Sequence, residues 1–284
     1  MNKKIALLFV FLGFLLMTGC TPQETALQKN DNLNSGRKIP GDLQIPLPKE
    51  VPILMYHYIG DIPTDEKNVA LRSDLTVSVA NFEEQLKWLK ANEYATVWLS
   101  EAAAFSNAKD GYWSPLSSFA WPQKPIILTF DDGYEDAYTN ALPLLQKYGM
   151  YGSFAIITGK IGTPGYLTWE QVKQMQQANM EIVSHTVSHP DLSTASVATV
   201  KSELEKSRAD MEAHQIYSRN FLVYPSGKYN SSTIEQLKLA GYIGARTTKS
   251  GKVTKESDAY ELPVIRIHGS TTIDQFHTII GSEK

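Results

Sequence analysis

Short apolar runs alternate with longer stretches in which apolar residues recur at three- and four-residue spacing. Pro125–Phe130, Gly152–Ile157, Glu181–Ser184, Phe221–Tyr224, Ile243–Thr247 and Leu262–Ile267 read as buried strands bounded by polar or turn-forming residues. Glu135–Tyr148, Thr168–Ala178, Ser196–His214, Ser231–Ala240 and a closing segment near Ile273–Ile280 have helical spacing. Upstream, Val51–Tyr56 predicts a strand ending in His57, and Ala95–Leu99 predicts another. Between them Asn81 is expected to cap a helix that puts Phe82, Leu86 and Leu89 on one face, with Glu84 as the capping-box partner. Asn107–Gln123, rich in Gly, Ser, Pro and aromatic residues, reads as an irregular insertion near a barrel mouth. Repeated strand-then-helix units demand a parallel sheet. Seven or eight of them over ~230 residues fit the roughly 250-residue scale of a closed barrel, so the expected class is α/β, a distorted TIM-like (β/α)7-8 barrel forming a single catalytic domain.

The N-terminus departs from this pattern. Lys3 and Lys4 precede an unbroken apolar run, Ile5–Met17, which is short for a membrane span and shaped like a signal peptide. It ends in Leu16-Met17-Thr18-Gly19-Cys20, which resembles the lipobox of bacterial lipoproteins, and Cys20 is the single cysteine. The expected organisation is therefore a lipoprotein signal peptide at 1–19, lipidation at Cys20, a polar tether over 20–48 and a catalytic domain over 49–284, its core motifs starting near 124. That implies a secreted protein, lipid-anchored on the extracytoplasmic face of the bacterial membrane. One cysteine also excludes a disulfide within the chain. The net charge of -3 becomes -5 without Lys3 and Lys4, 25 basic residues facing 30 acidic ones. No basic cluster stands out, which argues against a nucleic-acid partner.

In parallel β/α folds the chemistry lies beyond the C-terminal ends of the strands. His57, Asp131, Asp132, His185 and Tyr224-Pro225-Ser226-Gly227 occupy those positions. Adjacent carboxylates at a strand end point apart, so one can bind a metal while its neighbour accepts a proton; alternatively both simply favour the N-terminal turn of a helix. His185 and His189 can converge on one cation if the intervening residues turn, or can be a structural pair. Asp132, His185 and His189 together make an Asp-His-His set suited to Zn²⁺ or a similar divalent ion. His214 and His277 fall on helices and read as structural.

Thr129-Phe130-Asp131-Asp132-Gly133 combined with His185-Thr186-Val187-Ser188-His189-Pro190 resembles the polysaccharide deacetylase family, carbohydrate esterase family four. The segment Val51–Glu101, with its Pro52-Ile53-Leu54-Met55-Tyr56-His57 start, is similar to the branch acting on poly-N-acetylglucosamine and related envelope glycans. The resemblance implies metal-dependent hydrolysis of N-acetyl groups on N-acetylglucosamine units of an extracellular or cell-wall polysaccharide, with release of acetate. It implies Asp132, His185 and His189 as metal ligands, with zinc first and cobalt, nickel or manganese as alternatives, and Asp131 as catalytic base. For the acid it points to His57 in the envelope-glycan branch or to His268 in the more usual arrangement; His57 is preferred. An N-acetylated glycan is the implied partner, and a monomer is expected. The family's third motif carries an arginine ahead of Pro-Tyr-Gly, where this chain has Val223. Arg266 is expected to replace that charge, and the Tyr224 backbone N–H is expected to bind the developing oxyanion. The Asp-Trp of the fourth motif is not recognisable around Gly244–Lys252. Two other functions fit the same residues: a catalytically weak glycan-binding lipoprotein, and an O-acetyl esterase on a polysaccharide such as xylan.

Overall fold

The structure, a computed structural model, describes residues 48–64, 67–106 and 122–281. The signal peptide, Cys20, all but the last residue of the tether, and residues 107–121 of the expected insertion lie outside the described residues. The strands are β1 (Ile53–Tyr56), β2 (Tyr58–Ile59), β3 (Thr76–Val77), β4 (Ala95–Thr96), β5 (Pro125–Phe130), β6 (Ser153–Ile156), β7 (Glu181–Ser184), β8 (Ser218–Val223), β9 (Gly244–Ser250) and β10 (Leu262–Arg266). The helices are α1 (Val69–Leu75), α2 (Val79–Ala91), α3 (Leu99–Ser106), α4 (Leu142–Tyr148), α5 (Trp169–Gln177), α6 (Val197–Ala213), α7 (Ser231–Leu239) and α8 (Ile273–Gly281).

Seven parallel strands run in the order β1-β10-β9-β8-β7-β6-β5, and pairing of β5 with β1 closes the ring. The expected α/β barrel is therefore present in its seven-stranded form. β4 lies along the first half of β5, at Pro125 and Ile126, and β6 takes over at Thr129 and Phe130. Residue alternation divides each strand between two cores. Ile53, Met55, Ile127, Ala155, Val183, Phe221, Val223 and Val264 join Leu99, Ala102, Ala103 and Phe105 of α3 in one cluster, the barrel interior with α3 packed into it. Leu54, Tyr56, Leu128, Phe130, Phe154 and Ile182 face α2, α4, α5 and α8 in a second, while Leu222 and Ala245 face α6 and α7 in a third. This pleat aims Asp131, two residues beyond Thr129, and Arg246, next to outward-facing Ala245, into the interior.

Three local expectations are corrected. α2 is capped by Ser78, whose Oγ accepts the Asn81 N–H at 3.2 Å; Asn81 sits inside the first turn and uses its side-chain amide to reach the Thr271 carbonyl at 3.0 Å. The strand expected over Ala95–Leu99 stops at Thr96, because the Leu99 N–H is captured by the buried Glu181 carboxylate at 2.7 Å and α3 begins there. The helix expected from Glu135 opens as a π-helical turn, Ala137–Ala141, before α4.

Candidate active site

At the end of β5, Asp131 donates its N–H to the Tyr56 carbonyl (3.0 Å), and the chain then turns through two left-handed residues, Asp132 (φ 76°) and Gly133 (φ 79°). Glycine suits that conformation, and a Cβ at Gly133 would also meet Ile156 at a tight 3.3 Å. After β7, Thr186 (φ 68°) and His189 (φ 60°) are also left-handed, a costly state for β-branched threonine. The loop is held from both sides. Glu203 on α6 accepts the N–H groups of Val187 (2.7 Å) and Ser188 (2.9 Å) and the Ser188 hydroxyl (2.6 Å). Across from it, Thr158 and Gly159 donate their N–H groups to the carbonyls of Thr186 (3.1 Å) and Val187 (3.0 Å).

That clamp brings the His185 and His189 rings to 4.8 Å between centroids. Asp132 Oδ1 lies 3.3 Å from His185 Nε2 and 3.7 Å from His189 Nε2, and one ligand atom from each of the three lies within 4.8 Å of the others. His185 Nδ1 stands 2.7 Å from the Val223 carbonyl, which can only accept; Nδ1 therefore carries a proton, which leaves Nε2, facing Asp132, as the nitrogen that would bind a cation in place of a proton. Donor atoms about 2.0–2.1 Å from a tetrahedral zinc are about 3.4 Å apart. The two measured separations bracket that value, so one carboxylate and two imidazoles fit a divalent cation with a coordination position left open. Burial works to raise the Asp132 carboxyl, but the hydrogen bond with His185 and the histidine charges outweigh it and hold Asp132 well below the usual range. Burial would lower His185, and Asp132 outweighs that and raises it, whereas burial and the His185 charge lower His189.

Beside this group Arg246 of β9, fully buried, places Nη2 2.5 Å from each oxygen of Asp131. The arginine sought at Arg266 is thus a correction: Arg266 pairs instead with Asp74 of α1 at 2.7 Å. Sequence reasoning missed Arg246, although a lone charge within Gly244-Ala245-Arg246-Thr247, inside a strand pattern, was the available signal. His57 Nε2 lies 3.9 Å from Asp131 Oδ2, and burial pushes its imidazole down against the opposing pull of Asp131 and Asp132. His268 stands apart from that contact, its Nδ1 2.7 Å from Asp74 Oδ1. His214 and His277 stack on Trp169 and Trp88. The Tyr224 expectation is also corrected. Its N–H donates to the Arg246 carbonyl at 3.1 Å as part of the β8–β9 pairing, so it is not free for an oxyanion. The Tyr224 phenol is likewise committed, to the Tyr260 carbonyl at 3.0 Å.

Comparison with known proteins agrees with this geometry. The family model for polysaccharide deacetylase matches residues 120–245, which contain both motifs and end one residue before Arg246. YxkH of Bacillus subtilis (strain 168), whose name places it among the polysaccharide deacetylases, is 32% identical over 240 residues, covering 84% of this chain and 78% of its own. The chain belongs to the polysaccharide deacetylase family. It is a deacetylase, and so a hydrolase. The poly-β-1,6-N-acetyl-D-glucosamine N-deacetylase of Staphylococcus aureus (strain MRSA252) is 29% identical over 206 residues, 68% of each chain. The deacetylase PplD of Streptococcus pyogenes, solved in complex with acetate, superposes with a TM-score of 0.71 at 29% identity, covering 82% of this chain and 99% of its own.

Proposed function

We propose that this deacetylase removes N-acetyl groups from N-acetylglucosamine units of an extracellular or cell-wall polysaccharide in a metal-dependent reaction that releases acetate. The observation that carries the reading is the pairing of two groups: an Asp132-His185-His189 set spaced for one cation, and beside it a carboxylate, Asp131, fixed by Arg246. The Staphylococcus aureus relative's named substrate supports the choice of glycan, and acetate bound to PplD supports the acetyl chemistry.

Asp132, His185 through Nε2 and His189 would hold a divalent cation, zinc by its fit to this donor set, which when bound would supply Lewis-acid polarisation of the acetamide carbonyl. Asp131 takes the proton from the attacking water, and Arg246 keeps the carboxylate in one orientation while it does so. As the carbon–nitrogen bond breaks, the amine needs a proton; His57 gives it, a role supported by its position 3.9 Å from Asp131. Arg246 also favours turnover over the catalytically weak glycan-binding reading, because it supplies beside Asp131 the charge that Val223 does not.

The signal-like apolar run Ile5–Met17 and the lipobox-like sequence ending in Cys20 support a lipid anchor on the extracytoplasmic face, within reach of such a glycan. The reading is tested by acetate release from acetylated glucosamine oligomers. Chelation and Asp131→Asn should each abolish it, with the chelated protein recovering on added divalent metal. Activity that survives both treatments would overturn the mechanism, and preference for an O-acetylated xylan would overturn the substrate.

A further inference from the structure

Glu203 is one of three polar residues on α6 that bear on the loop carrying the two histidines. Glu203, Ser207 and Asp210 are spaced by four and three residues, so they lie along one face of the helix, beside the stripe of Val200, Leu204 and Met211 that enters the apolar cores. Each reaches the loop or a group that holds it. Glu203 accepts from Val187 and Ser188 directly. The Ser207 and Ser184 hydroxyl oxygens are 2.8 Å apart, and Ser184 Oγ accepts the Thr186 N–H at 3.2 Å. Asp210 Oδ2 accepts the Thr158 hydroxyl at 2.8 Å, and Thr158 donates its own N–H to the Thr186 carbonyl at 3.1 Å. Thr186 is thus held at its N–H and at its carbonyl by groups that α6 fixes, and its hydroxyl in turn accepts the His189 N–H at 3.0 Å.

Helix packing alone gives no reason for this polar stripe. Ser207 is fully buried in the middle of α6, where serine forms helix less well than alanine and a buried hydroxyl costs free energy unless it is hydrogen-bonded. Its partner is Ser184, the residue before His185. The loop, for its part, needs support from outside. Thr186 is left-handed, a conformation that a β-branched residue holds only when its surroundings fix it. The two peptide groups that flank Thr186 are the ones the stripe secures, and their orientation sets where the chain returns to place His189 against His185. Contact on the far side is equally close: a Cβ on Gly159, next to Thr158, would lie 2.6 Å from the Val187 carbonyl oxygen. In packing that tight, a shift of Thr158 passes to the loop instead of being absorbed.

We propose that Ser207 and Asp210 are positioning residues for the metal group: through Ser184 and Thr158 they hold the left-handed turn at Thr186 that sets His189 against His185, an inference that rests on the metal-dependent reading above. Zinc affinity of the full chain, measured by competition with a chromophoric chelator, tests this without turnover. Ser207→Ala and Asp210→Ala should each weaken it about three- to ten-fold, less than the loss of a direct loop contact because each acts through an intermediate residue. Asp210→Asn, whose amide oxygen still accepts from Thr158, should recover most of the loss. Thr158→Val breaks the same link from its other end, so adding it to Asp210→Ala should cost nothing further; it carries the test alone should Asp210→Ala not fold. Val200→Ala thins the packing of the same helix, and should lower thermal stability with zinc affinity kept within about two-fold. If Ser207→Ala and Asp210→Ala bind zinc as tightly as the unaltered chain, or lose no more than Val200→Ala, the stripe only packs the helix and the proposal fails although the metal reading stands. Additive losses in the Thr158–Asp210 double variant would overturn the route through Thr158. If the unaltered chain binds no zinc, the metal reading fails and the positioning role with it.

Discussion

Arg246 and Val223 are direct partners in the β8–β9 ladder, and the guanidinium that holds Asp131 therefore arises one strand to the side of the position where the family's third motif places an arginine. Both side chains belong to strand faces that look into the barrel, so the charge reaches the same buried carboxylate from the neighbouring strand. Removing it leaves Asp131 buried without its partner, a loss of about 3–5 kcal/mol for a broken buried pair.

Arg246→Met should accordingly lower stability by that amount in urea denaturation and reduce kcat/KM about 100-fold, the low end of what a positioned base contributes. Val223→Arg introduced into the Arg246→Met background should recover part of both losses. If the double variant is no better than the single one, the two positions are not equivalent sources of the charge.

Glu203 bears on the metal group without touching it. Its carboxylate satisfies two N–H groups and a hydroxyl of the loop between His185 and His189, the loop that contains left-handed Thr186. Glu203→Ala should weaken metal affinity about 10- to 100-fold, as loss of outer-shell support does elsewhere, and Glu203→Gln less, since its amide oxygen still accepts. A competition titration with a chromophoric chelator measures this directly. Equal affinity in all three proteins would show that the loop holds its shape alone.

The residues legible from sequence were those whose partners lie nearby along the chain or at a strand end. Asp131, Asp132, His185 and His189 sit in two compact motifs, and alternation of apolar runs with helical spacing revealed the barrel. Arg246, Asp74 and Glu203 stayed hidden because their roles come from ring closure and helix packing: Arg246 meets a residue 115 positions away, and Asp74 meets His268 across 194. On a helix, Asp74 and Glu203 look like any solvated acid. The Tyr224 N–H failed as an oxyanion donor for a related reason, since ladder pairing with the Arg246 carbonyl is a property of two strands. Ser78 and Asn81 are both good caps three residues apart, and a local rule does not choose between them.

The two candidate acids are separable by pH. Burial lowers the His57 imidazole below its ordinary 6.5 despite the nearby carboxylates. An acid must be protonated to act, so the kcat/KM limb due to His57 lies below 6.5, activity falling as pH rises past it. His57→Ala should remove that limb and cost about 10²–10⁴ in kcat/KM, whereas His268→Ala should leave it in place. The reverse pattern would transfer the acid role to the His268–Asp74 pair.

Asp136 gives a pH dependence of stability that is independent of catalysis. Its Oδ2 accepts the Ile59 N–H at 3.1 Å, which anchors the segment after His57, while Oδ1 is buried and has no hydrogen-bond partner among the described residues. Burial pushes the carboxyl up to about 7, against the pull of the Arg72 charge and of backbone N–H groups. The folded chain thus keeps a proton that the unfolded chain releases near 3.8. Between those values the native state binds more protons, so this contribution is full below about 3.8 and declines as pH rises through 7. A shift of about three units corresponds to up to about 4 kcal/mol. Asp136→Asn keeps an acceptor for Ile59 and buries a neutral amide, so it should match the unaltered protein near pH 4 and exceed its stability increasingly up to pH 8. Urea unfolding at pH 4, 6 and 8 checks this, and a stability difference that stays constant across the three would show that Asp136 is ionised in the folded state throughout.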